Sequence, residues 1–180
     1  MKIKLFALPM LVLAGLLAAG TAAALDPADE ERFDGYMQLP QTELARVAMH
    51  QLTSKYPDEN WQQYDFPDYV FEDVVTEASY KIAVKEPGLL GVANVSATDV
   101  VIPCYCTCDK FGHANLLYCF YKNGDPNDEF DRHGSICSIC MRQAFLAFLW
   151  SELGADHEKI MDGMEIQFAP VVEKYKERNK

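Results

Sequence analysis

The chain has 180 residues and a formal net charge of −11, enough for one ordinary domain that buries a core without covalent staples. That acidity argues against nucleic acid or an anionic lipid surface as a partner. All six cysteines fall between Cys104 and Cys140, a concentration that excludes the scattered half-cystines of an ordinary disulfide framework.

In chain order, Met1-Lys2-Ile3-Lys4 is followed by a nearly uninterrupted apolar run to Leu17 and by small residues ending at Ala24. This pattern predicts a secretory signal peptide over residues 1–24, with cleavage after Ala24 and export to a periplasmic or extracellular compartment. The apolar run is short for a span that needs about 20 residues, and no cysteine follows it to carry a lipid anchor. The expectation is a released protein with no membrane association after cleavage.

Residues 25–40 are polar and acidic with little periodicity and are expected to form a mobile lead-in. From Gln41 the apolar positions Leu44, Val47, Ala48 and Leu52 recur at helical spacing and end at Tyr56-Pro57. Asp58 to Phe66 reads as an aromatic loop. A second helix is expected from Pro67, with Phe71, Val74, Val75, Ala78 and Ile82 on one face, stopped by Pro87-Gly88.

Leu89 to Ile102 is compatible with a short strand or an irregular approach to the cysteines. Gly112 to Lys122 has helical periodicity, and Asn123 to Asn127 is a turn cluster. Gly134 to Leu153 predicts a helix with Cys137, Cys140, Met141, Ala144, Phe145 and Phe148 in one stripe, closed by Gly154. Asp156 can cap a last amphipathic helix that should kink or break near Pro170. The expected fold class is mainly α: a single helical domain over residues 41–180, with an extended or irregular Cys-rich segment packed on a C-x-x-C helix.

Within that segment, an extended Cys104-x-Cys106-x-Cys108 run would turn three side chains to one side. Cys137 and Cys140 lie three apart and would share a helical face, with His133 one turn earlier. Cys119 is expected on the core side of the intervening helix. The predicted metal ligands are therefore Cys104, Cys106, Cys108, Cys119, Cys137 and Cys140, with His133 and His113 as ligands or their close neighbours. Eight such groups exceed one tetrahedral site, so two ions or a mixed site with spare thiols both fit. His50 and His157 read as plain surface residues.

Thiolate-rich sites select Cu(I), zinc or iron–sulfur clusters. The spacing matches neither paired C-x-x-C zinc units nor the common ferredoxin runs, and Met141 stands where a c-type haem motif needs His. Cu(I) is favoured in an exported acidic protein, with zinc or an iron–sulfur cluster as the alternatives. Disulfide pairing and reversible dithiol chemistry stay open beside the metal reading, although C-x-C pairs close strained rings. No G-x-S-x-G motif, phosphate loop or recognisable pair of catalytic carboxylates points to an enzyme.

Pro103-Cys104-Tyr105-Cys106-Thr107-Cys108, Asn115 to Phe120 and Phe130 to Cys140 together resemble the PCYCGC-motif family. These are small exported proteins, often lipoproteins, with a largely unassigned activity. The resemblance runs from Tyr80 to Tyr175 and implies a helical metal-binding domain without naming a reaction. Two departures stand out: Thr107 replaces the motif's glycine, and the lipid-attachment cysteine is absent. Three functions follow as expectations: metal sequestration or transfer, with a metal-delivery or redox protein as partner; a redox carrier with an iron–sulfur or di-copper centre; or a disulfide-stabilised assembly subunit.

Overall fold

A computed structural model describes residues 24–91 and 101–178. The expected signal peptide, apart from Ala24, and most of the ambiguous 89–102 stretch lie outside these residues. The described chain is mainly helical, with one continuous hydrophobic core.

Helix α6 (Ser138–Glu152) organises that core. Its run from Phe145 to Trp150 is apolar all round, and every one of those residues is buried, the expected state of a helix without a polar face. It touches α1 (Pro27–Gln38), α2 (Gln41–Lys55), α3 (Val74–Lys85), the single turn α4 (Pro87–Leu90), the single turn α5 (His133–Ile136) and α7 (His157–Arg178). The one-stripe reading of this helix was too narrow, because α2 and α3 cover one side while α1 and α7 cover others.

Residues 27–38 form a helix and not the irregular lead-in expected of them. The reason is local at one end and tertiary at the other. Asp26 accepts hydrogen bonds from the Ala28 and Asp29 amides, and Pro27 occupies the first turn, satisfying the helix start. Phe33 then stacks on Trp150 with ring centroids 4.3 Å apart, and Trp150 Nε1 donates to the Phe33 carbonyl at 3.0 Å. Arg142 reaches the other end, donating to the Met37 and Leu39 carbonyls at 2.7 and 2.9 Å. Gly163 of α7 closes the contact: a Cβ there would lie 2.7 Å from the Trp150 ring.

Other boundaries shift for equally specific reasons. Pro67 precedes a short 3-10 turn (Asp68–Phe71), and α3 begins after Asp73, whose carboxylate accepts from the Val75 and Thr76 amides. Phe71 is exposed, and Val70 is the buried residue of that turn. The expected helix over 112–122 is replaced by 3-10 turns at Cys108–Phe111, Leu116–Cys119 and Lys122–Gly124. Helix α7 passes through Pro170 without breaking. Pro170 is exposed, so the carbonyl that loses its partner can turn to water.

Phe33→Ala is expected to cost about 3 kcal/mol of unfolding free energy, the usual loss for emptying a buried aromatic site. Denaturant unfolding monitored by Trp150 fluorescence measures it. A loss under about 1 kcal/mol would mean that α1 is not part of the cooperative unit.

Candidate metal centre

The sulfur cluster is assembled where the Cys104–Cys108 segment meets the start of α6. Gln143, fully buried one turn after Cys140, accepts from the Tyr105 amide at 3.2 Å and donates to the Pro103 carbonyl at 2.8 Å. Both amide functions of the side chain are thus used to hold the peptide on either side of Cys104. The Leu116 amide donates to the Ile102 carbonyl at 2.9 Å, which brings the Cys119 turn alongside.

The Cys104–Cys108 run is not the extended edge expected of it. It turns: Thr107 sits in the left-handed region (φ 67°, ψ 21°), and a 3-10 turn starts at Cys108. The three sulfurs still face one another, but through curling of the backbone and not through strand alternation. Cys106 Sγ lies 3.0 Å from Cys104 Sγ and 2.8 Å from Cys108 Sγ.

Cys137 also departs from its expected place. It is the residue before the first turn of α6, in extended conformation, and not part of the helical stripe. The short turn α5 before it delivers His133, whose amide donates to Asp131 Oδ1 at 2.7 Å. Tyr80, buried on α3, donates its hydroxyl to the Asp131 carbonyl. Gly134 permits this approach, since a Cβ would lie 2.7 Å from the Cys119 carbonyl.

The result gathers every cysteine and two of the four histidines. Cys104 Sγ is 3.2 Å from Cys119 and 3.7 Å from Cys140; Cys119 and Cys140 are 3.0 Å apart; Cys106 and Cys140 are 3.5 Å apart. His133 Nε2 is 3.2 Å from Cys108 Sγ, and His113 Nδ1 is 3.7 Å from Cys119 Sγ. All six cysteines are free thiols; Cys104, Cys108, Cys119 and Cys140 are buried. His50 and His157 belong to no metal-competent group among the described residues, but His157 is half-buried and not a plain surface residue.

Such a cluster shares its protons unevenly. Hydrogen bonds from Cys104, Cys119, Cys137 and Cys140 hold the Cys106 thiol well below the ordinary range, so the first thiolate forms there. Contacts with Cys104 and Cys106 push Cys119 and Cys140 up. Cys106 also pushes Cys137 up to about 11, and burial raises Cys108. Burial lowers His113, keeping its ring neutral and able to donate a lone pair.

The donor set fits a soft ion. Cys104, Cys106, Cys119 and Cys140 have all their sulfurs within 4.8 Å of one another, and so do the donor atoms of Cys106, His133, Cys137 and Cys140. Sulfurs each about 2.3 Å from a tetrahedral ion are about 3.8 Å apart. Five of the six edges of the first group, 3.0 to 3.7 Å, lie slightly inside that value, so small χ1 rotations open the cage. A groove of about 440 Å³ between this segment and α7 is lined by Cys104, His113, Tyr105, Lys110, Glu165 and Tyr175. It brings solvent to the edge of the cluster.

Fold and site together define a helical domain built around a thiol-rich cluster able to hold a metal ion. The chain belongs to the family described as proteins of unknown function with a PCYCGC motif, which matches residues 74–177. No curated protein and no solved structure matches the chain significantly.

Sequence reasoning missed Gln143 and Asp131. Gln143 was detectable as a polar residue one turn after Cys140 and directly before the apolar run Ala144–Trp150; Asp131 carried no signal of its own. The left-handed conformation of Thr107 stands where the family motif has glycine. A non-glycine residue there costs about 1–2 kcal/mol, offset in part by the greater chain entropy of glycine. Thr107→Gly is therefore expected to raise stability by about 1 kcal/mol without changing the number of reactive thiols. Paired denaturant melts and thiol titrations check both halves.

Proposed function

We propose that this is an exported, non-enzymatic metal-binding protein that sequesters or passes on a soft metal, with Cu(I) favoured over zinc or an iron–sulfur cluster. The observation that carries this reading is the convergence of six free sulfurs, four of them in one group with every separation within 4.8 Å. Thiolates select Cu(I) over hard cations. The imidazoles of His113 and His133 would bind as nitrogen donors without adding negative charge. The groove beside Cys104 and His113 gives a delivery or acceptor protein a place to exchange the ion. An acidic surface of net charge −11 suits a soluble carrier that attracts cations.

A dithiol–disulfide exchanger is the second reading, favoured by the 3.0 Å approach of Cys119 and Cys140. The thiol inventory separates the two. Protein isolated without air is expected to show at least four thiols that react only after a strong chelator or acid is added. Fewer than two titratable thiols in denaturant without reductant would sink the metal reading and leave the disulfide chemistry in front.

The pH dependence follows from the same chemistry. Ligand thiols bind as thiolates, so protons compete with the metal, and metal release should increase as pH falls. The double variant Cys137→Ser with Cys140→Ser is expected to lose most of its metal while keeping its far-UV helix signal. Metal analysis across pH with circular dichroism at each point checks both; unchanged metal content would remove the α6 start from the site.

A further inference from the structure

We infer that the cluster holds two ions that share an edge, with Cys106 and Cys140 as bridging thiolates. This rests on the soft-metal reading above and specifies its stoichiometry. The two four-donor groups have Cys106 and Cys140 in common. Cys104 and Cys119 complete one, and Cys137 with the His133 imidazole completes the other. The shared sulfurs are 3.5 Å apart, and Cys104 and Cys119 lie 3.0 Å from Cys106 and Cys140 respectively.

A single ion in the first group would leave Cys137 and His133 beside two bound thiolates that still carry lone pairs. A thiolate bound to one ion can donate a second pair to another. The charge account favours filling both places. For Cu(I), the second ion brings one positive charge and its only new thiolate, Cys137, brings one negative. The second site thus adds no net charge to the buried cluster, whereas isolated buried charge is costly. On loading both ions, Cys104, Cys106, Cys119, Cys137 and Cys140 all bind as thiolates, and each thiol still protonated gives its proton to solvent. No electron moves, and both coppers stay in the Cu(I) state.

The elements holding these residues support the division. Cys104 and Cys119 come from the turns held by Gln143 and by the Ile102 carbonyl. Cys137 and His133 come from α5 and the cap of α6. Cys106 and Cys140 stand between the two sets. Cys108, 2.8 Å from Cys106 and 3.2 Å from His133 Nε2, lies outside both four-donor groups but joins Cys104 and His113 in a three-donor group; His50, in no such group among the described residues, serves as the comparison residue.

The test is anaerobic titration of the full chain with Cu(I) against a competing chromophoric Cu(I) chelator, read by native mass spectrometry and copper X-ray absorption. Two ions per chain and a copper–copper scattering shell are expected. Cys119→Ser and Cys137→Ser should each retain one ion, His50→Ala should retain two, and Cys106→Ser should retain fewer than one. One ion in the wild type, or two without a copper–copper shell, overturns the shared-edge centre and leaves the metal-binding function standing. No ion overturns both. Loss of one ion in Cys108→Ser but not in Cys137→Ser overturns the ligand assignment. Should Cys106→Ser lose its helix signal, the wild-type stoichiometry and the other variants still decide.

Discussion

The buried amide of Gln143 ties the sulfur-bearing segment to the central helix. A side-chain amide with no access to water is costly unless both its donor and its acceptor are satisfied. Here the two partners are the Pro103 carbonyl and the Tyr105 amide, one on each side of Cys104. Because Gln143 follows Cys140 by one helical turn, the same contact that relieves the buried amide places Cys104 Sγ 3.7 Å from Cys140 Sγ. The turn of Cys119 and the cap at Cys137 then close on a pair of sulfurs already in register.

The core and the candidate metal centre are one structure seen from two sides. Helix α6 is buried all round because the other helices enclose it, and its first turn supplies Cys140 to the cluster. The aromatic group of Tyr69, Tyr80, Phe120 and Phe130 packs behind the loop that carries Asp131 and His133. Packing of this kind fixes the sulfur positions in advance, which would lower the ordering cost of holding an ion. It also withdraws sulfur from water, so a buried thiolate needs a cation or donated hydrogen bonds. Cys106 has four thiol neighbours to supply the latter.

Much of the helical architecture was legible because it depends on periodicity and caps. α2, α3, α6 and α7 all follow apolar residues at helical spacing, with starts refined by Asp73 and Asp156, which accepts from the Lys159 amide. Residues 27–38 escaped because an acidic helix anchored chiefly by Phe33 has almost no apolar stripe; its Asp26-Pro27 start was the available clue. The 112–122 stretch had the right period and the wrong structure. There, Gly112 at φ 88° and the Asn115 side chain, which accepts from the Leu117 amide, favour separate 3-10 turns over a continuous helix.

The sequence by itself determined the mainly helical class, the family, and the choice of soft donors, since each lies in residue type and spacing along the chain. Only the tertiary structure decided which donors meet. Distances between Cys104, Cys119 and Cys140 depend on how three segments dock, and docking here is set by a buried amide, a glycine approach at Gly134 and a left-handed turn at Thr107. None of these is a periodic property. They are contacts between residues far apart in the chain, so they exist only once the helices have packed.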